Sequence, residues 1–351
     1  MKKSLFRVLT LMSIISNAGL FAQDFNIHNP INLPDKSQEA ISSQRIGYTD
    51  FEIKYHSPGT KGRAVWGQMV PYGQVWRAGA NENTVLTLTH DVEIEGQNLT
   101  AGSYGVHLLP EEKEWTFNFS KNQTSWGSYF YNPEEDALRV TVTVETVSDP
   151  REWMSFEFVD RERAATSIVL SWADKKATLH ITLDIDAIAL DTIRLQLRSD
   201  AYWEWFGWCQ AADYCAEYGI NTAEALEWID KSIELEEHFS NWDVKAKLLR
   251  QLGDEKGADN AIERALEVGS AVYVERYGRR LLNEALYDEA VVIFKKAIKK
   301  EDSYWRAHYN LGFSLKELGK KNDARKAFEK ALEHAPASQQ MAIKNNLESK
   351  P

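Results

Sequence analysis

One stretch of the chain concentrates residue types able to hold a ligand: Arg63, Trp66, Trp76, Arg77, Asn81 and Glu82, with Tyr104 further on. Indole and phenol rings supply apolar faces, and a guanidinium supplies a planar fork of donors. Together they suit a sugar ring or a small anion. The same residues also read as structure. Trp66 and Trp76 would then fill a core, Arg77 would pair with Glu82 or loop carbonyls, and Asn81 would fix a turn. Catalytic patterns are missing: no Gly-x-Ser-x-Gly elbow, phosphate-binding loop, dinucleotide fingerprint or His-Glu-x-x-His helix occurs. His56 and His107 stand near the block and, with Glu82, are the candidates for metal binding or acid–base work. Their separation follows no ligand spacing, so no metal, no cofactor and no catalytic residue is assigned. His180, between Leu179 and Ile181, falls on the outward side of an alternating strand. Glu134-Glu135-Asp136 reads as a solvated loop.

The elements that would carry these residues alternate with period two. Phe51-Ile53-Tyr55, Leu86-Leu88, Val92-Ile94, Trp115-Phe117-Phe119, Val140-Val142-Val144, Phe156-Phe158 and Leu179-Ile181-Leu183-Ile185 each put apolar residues on one side. That pattern predicts strands with one buried and one wet face. Turn residues punctuate them at Ser57-Pro58-Gly59, Glu95-Gly96-Gln97-Asn98, Asn132-Pro133 and Asp149-Pro150. An antiparallel β-sandwich or barrel over 45–186 follows. Residues 23–44 are polar and read as a flexible lead-in.

Beyond a linker at 187–201 the period becomes helical, and 202–348 reads as an α-solenoid of helical hairpins. His308, Leu311, Gly312, Leu315, Ala324, Phe328, Ala331 and Pro336 recur about 34 residues earlier as Val274, Tyr277, Gly278, Leu281, Ala290, Phe294 and Ala297. Fainter copies place Ala258, Ile262 and Ala265, then Ala225 and Ile229. Gly and Ala let two helices approach while larger neighbours fill the remaining space, and no hairpin buries its apolar face without the next. This resembles the tetratricopeptide repeat (TPR) family, which implies a concave surface for a protein or peptide partner.

The block itself, above all Val75-Trp76-Arg77-Ala78-Gly79-Ala80-Asn81, with Ala101-Gly102-Ser103-Tyr104-Gly105 and Trp126-Gly127, resembles the bacterial DUF2911 family over about residues 42–186. The resemblance implies an exported β domain and no particular chemistry.

Bulk properties bound the partners. With 351 residues, 43% hydrophobic and 26% charged, the chain is expected to form two soluble domains. A formal charge of -11 disfavours nucleic acid and anionic lipid, both of which need surplus Lys and Arg. Lys2, Lys3 and Arg7 precede an apolar run from Val8 to Ile15, so residues 1–22 read as a signal peptide cut near Ala22-Gln23. The mature protein is then expected in the periplasm or outside the cell, with no membrane span left. Cys209 and Cys215 point from different faces of one helix and read as core residues rather than a disulfide. The weight falls on a non-enzymatic exported scaffold whose TPR array holds a protein or peptide and whose β domain takes a glycan or small anionic ligand. An envelope hydrolase centred on the Trp76–Glu82 block, and a purely structural protein, are the alternatives.

Overall fold

The computed structural model describes residues 34–348, so the expected signal peptide and most of the lead-in lie outside the described residues. The described chain forms two compact units, one ending at Leu183 and the other beginning at Asp184.

In the first unit, nine strands form one antiparallel sheet. They are β1 (Gln38–Ile46), β2 (Thr49–Ser57), β3 (Thr84–Leu88), β4 (Val92–Ile94), β5 (Gln97–Leu99), β6 (Gly102–Pro110), β7 (Glu114–Ser120), β8 (Asp136–Val159) and β9 (Ala165–Thr182). Their spatial order is β1-β2-β3-β6-β7-β8-β9-β4-β5. The tight hairpin between β4 and β5 turns on Glu95 and Gly96, both left-handed (φ 51° and 72°), which matches the right-handed twist of the strands.

β8 folds the sheet into two layers. Its first part pairs with β7 and its second part with β9, with register breaks between Thr146 and Arg151 and between Arg151 and Ser155. Asp149-Pro150, expected as a turn between two strands, sits inside the first break. A proline has no N–H for the ladder and fits where pairing lapses. The far part of β8 thereby faces β2: Phe156 meets Tyr55 edge-on at 5.1 Å and Phe158 lies 6.0 Å from Phe51. The sandwich expected from alternation is present, with β1 beginning inside the stretch read as lead-in.

The second unit is helical: α1 (Ile185–Gln196), α2 (Trp205–Tyr218), α3 (Thr222–Leu235), α4 (Phe239–Gln251), α5 (Glu255–Val268), α6 (Ala271–Asn283), α7 (Tyr287–Lys300), α8 (Trp305–Glu317), α9 (Lys321–His334) and α10 (Ala337–Glu348). The pairs α2/α3, α4/α5, α6/α7 and α8/α9 are the repeating hairpins. The expected linker is largely helix. Asp184 accepts from the Ala187 N–H at 3.0 Å and starts α1, whose Leu190 and Ile193 pack with Leu197 onto Cys209, Ala212 and Trp228. Arg194 then reaches Glu224 on α3 at 2.7 Å. The segment thus caps the array, a tertiary role that its length and polarity did not announce. Cys209 and Cys215 are buried free thiols, and burial raises their pKa to about 12 and about 11.

Within a hairpin the spacing is set by small residues. A Cβ on Gly312 would stand 2.7 Å from the Phe328 ring, and one on Gly278 would stand 2.7 Å from Phe294. Ala in place of Gly in an open helix is stabilising by about 1 kcal/mol. At Gly312 the sign reverses: Gly312→Ala is expected to destabilise the protein by about 1–3 kcal/mol through overpacking. Urea unfolding checks this, and Phe328→Leu in the same chain should recover part of the loss.

Candidate functional site

The block around Trp76 is divided between the two faces of the first layer. Trp76 and Leu108 exchange backbone hydrogen bonds at 2.8 and 2.7 Å, which makes Trp76 a cross-strand partner of β6. Its side chain therefore follows Leu108 into the interior, and Arg77 emerges on the opposite face. Inside, Trp66, Trp76, Trp115 and Trp172 pack with ring centroids 4.3–5.9 Å apart. The Trp66 indole N–H donates to the Trp172 carbonyl (3.1 Å) and that of Trp172 to the Glu152 carbonyl (3.3 Å), so two buried donors are satisfied. Tyr104 is also interior and donates to the Thr100 carbonyl at 2.9 Å. Arg63 is exposed and donates to the Thr60 and Gly59 carbonyls at 2.9 and 2.7 Å.

Of the seven sequence candidates, Arg77 and Glu82 remain close enough for the Glu82 charge to act on the guanidinium, and Asn81, its amide nitrogen buried, lies in the loop between them. The loop that carries them reverses through Ala78 and Asn81, left-handed at φ 49° and 55°. Glu82 then pairs with Trp126 in an isolated bridge. The second loop, 121–135, lies over the sheet here. The Asn83 amide, oriented to donate, reaches the Ser125 and Gly127 carbonyls at 2.8 and 2.9 Å. The loop also presses on Gly105, where a Cβ would fall 2.3 Å from the Asn122 carbonyl oxygen. The result is an aromatic edge: Trp126 is 44%, Tyr129 79% and Phe130 70% exposed. The Trp126 and Tyr129 rings lie parallel within 2° at 5.9 Å, and the Arg77 guanidinium sits 5.5 Å from the Trp126 centroid. Burial lowers the Arg77 pKa, while Tyr129 and Glu82 oppose that shift. Tyr129 and Phe130 were missed in the sequence; their signal is an aromatic run between two strands where turn residues are usual.

Beneath the loop lies a polar interior. His107 is buried, contacts the Ser128 hydroxyl at 3.3 Å and packs on Tyr131 at 4.8 Å. Tyr131 donates to Asp136 at 2.6 Å, and Arg139 joins the same carboxylate. Asp136, read as part of a solvated loop, has a side chain only 4% exposed. Burial, then the Asp136 hydrogen bond, pushes Tyr131 up to about 12. His56, also buried, lies 3.5 Å from Glu82 and 3.7 Å from Asp35, and does not meet His107. Exposed His180 contacts Ser167 at 3.0 Å. Among the described residues no group of three His, Cys, Asp or Glu is placed to hold a metal ion.

A second candidate lies in the helical unit. Side chains of α2, α4 and α6, the first helices of successive hairpins, line a groove of about 420 Å³. Lys247 lies 3.0 Å from Asp213, and Arg280 lies 3.0 Å from Asp243 and 4.6 Å over Tyr277. Arg276 is exposed over Tyr273 at 5.6 Å, and no carboxylate of the described residues pairs with it. Phe206 is 53% exposed at the groove's end.

Comparison with known proteins matches a different family in each unit. Residues 37–181 match the family described as a protein of unknown function (DUF2911), and residues 305–338 match the tetratricopeptide repeat. Both resemblances read from the sequence are thereby shown, in the expected order. No curated protein matches the chain. Similar solved structures include MamA, at 19% identity over 46% of this chain and 87% of that one, with a TM-score of 0.30. YrrB, titled a TPR protein with an unusual peptide-binding site, shows 20% identity over 45% and 83%, with a TM-score of 0.29. The C-terminal part of a TPR repeat-containing protein from Cytophaga hutchinsonii shows 16% identity over 46% and 66%, with a TM-score of 0.33.

Burial lowers the His107 pKa to about 4, with Asp136 opposing the shift, against about 6.5 in an unfolded chain. As pH falls through that interval the unfolded chain takes up the proton first, so stability is complete above the interval and is lost towards its lower end. The expected loss is on the order of 3 kcal/mol. Urea unfolding across this range should show the slope, and His107→Gln, which cannot titrate, should flatten it.

Proposed function

We propose that the chain is an exported, non-enzymatic scaffold. The helical array docks an extended peptide segment of a protein partner, and the β unit takes a glycan or small anionic ligand. The observation that carries this reading is the lining of the helical groove. Aromatic faces at Phe206, Tyr273 and Tyr277 stand beside Lys247, Arg276 and Arg280, and only two carboxylates, Asp213 and Asp243, oppose those three cations. In a chain of net charge -11 this is a locally cationic strip. It suits a peptide with an acidic residue beside an aromatic or aliphatic one. The tetratricopeptide match at residues 305–338 supports an interaction scaffold in the same helical unit.

The hydrolase reading has less support, because Arg63, Trp66, Trp76 and Tyr104 lie apart from Arg77, Asn81 and Glu82. Export rests on the N-terminal residues described above. Among the described residues no helix is long and apolar enough to cross a membrane.

A peptide-array screen followed by fluorescence anisotropy tests the groove. Arg276→Glu is expected to weaken acidic binders about tenfold, the effect of reversing one charge beside an anionic ligand, and Trp126→Ala in the β unit should leave them unchanged. Binders indifferent to Arg276→Glu and to Phe206→Ala would move the docking surface elsewhere. Export has its own check: N-terminal sequencing of protein recovered from its native cells should begin at Gln23.

A further inference from the structure

Arg77 is held in an unusual electrostatic setting. Its guanidinium is half-buried between the sheet and loop 121–135, with one terminal nitrogen 3.4 Å from where a Cβ on Gly127 would stand. Among the described residues no carboxylate pairs with it; the nearest candidate, Glu82, lies instead 3.5 Å from His56. Its Nε, like the Nδ2 of Asn81, is buried without an acceptor. The Glu82 charge acts on Arg77 without a direct pair, so a guanidinium that has lost water lacks a bonded carboxylate, and the cost falls when one arrives. Next to it, Trp126 and Tyr129 turn parallel rings towards solvent. A loop normally places polar side chains there, so exposed rings mark a surface made to be covered. Bonds from Asn83 to Ser125 and Gly127 hold the rings in place before any ligand comes.

From this geometry we infer that Arg77, Trp126 and Tyr129 form a subsite for a pyranose bearing a carboxylate, the uronic-acid unit of an acidic glycan. The ring C–H face stacks on the aromatic edge, and the carboxylate takes the guanidinium donors. Aromatic faces alone would accept any sugar; a cation with no carboxylate bonded to it adds the demand for negative charge. One guanidinium balances one carboxylate, whereas a phosphate dianion would stay under-neutralised. The inference rests on the reading that the β unit binds a ligand, and it names that ligand's chemistry.

The test is calorimetric titration of the mature full-length protein with trigalacturonate and with its carboxyl-reduced neutral counterpart. The acidic sugar is expected to bind at least about tenfold more tightly, the worth of a charge-assisted hydrogen bond, and to weaken as salt is raised. Arg77→Gln should abolish the preference, and Tyr129→Ala should weaken both sugars while leaving the melting temperature unchanged. If Arg77→Gln fails to fold, the salt dependence and Tyr129→Ala carry the decision. Equal binding of the two sugars would overturn the acidic subsite and leave the β unit a glycan binder. Binding of neither sugar, with no melting shift from citrate, sulfate or phosphate, would overturn the subsite and the ligand-binding reading together.

Discussion

The β unit depends on one backbone pairing, that of Trp76 with Leu108. Because neighbouring residues of an extended segment point to opposite sides, fixing one indole in the interior commits the adjacent guanidinium to the outside. Slipping this pairing by one residue would exchange the two, placing a cation among the three remaining indoles and the fourth indole in water. The Trp cluster thus sets the register for everything at the surface, and the indole N–H bonds of Trp66 and Trp172 make the cluster directional as well as apolar. Ligand-type residues that adjoin in sequence are separated in space for this reason.

The helical unit answers to a different constraint, the distance between paired helices. Gly278 and Gly312 stand against phenylalanine rings where side chains of ordinary size would collide. Ala225, Ala258, Ala290 and Ala324 occupy the equivalent close approaches on the second helices and are almost wholly buried. Polar ties such as Arg194 to Glu224, Arg280 to Asp243 and Asn310 to Glu275 run between hairpins or to α1, fixing how each packs on its neighbour. The most exposed of these, Arg194 with Glu224, contributes little, whereas Glu275, only 2% exposed, needs its Asn310 donor. The stacking of apolar faces carries the stability and the polar ties adjust its register.

Architecture was legible in the sequence wherever periodicity governs it. Phe51-Ile53-Tyr55 and Trp115-Phe117-Phe119 are strands because their alternation demands one buried face, and the recurrence from Tyr277-Gly278 to Leu311-Gly312 marks the hairpins. Legibility failed where tertiary contacts decide. Residues 187–201 look like a connector, yet Leu190, Ile193 and Leu197 find a partner surface on α2 and α3. Asp149-Pro150 has turn chemistry but lies in a register break of a long strand. Asp136 looks solvated in an acidic run, and becomes buried because Tyr131 and Arg139 close around it. At the candidate site the residue types were readable. Which of them share a face was not, because that follows from the partner of Trp76 across a gap of some thirty residues.

The small-residue seams of the helical unit have a consequence for its descent. The glycines and alanines at the close approaches, and the rings packed against them, must stay fixed for the hairpins to stack. Of the side chains that α2, α4 and α6 turn into the groove, the exposed Phe206 and Arg276 carry little of that duty. Replacement there can proceed one residue at a time without endangering the frame, and whole hairpins can be gained or lost by duplication. A lineage carrying this unit can exchange one partner for another while the coiled scaffold beneath remains recognisable.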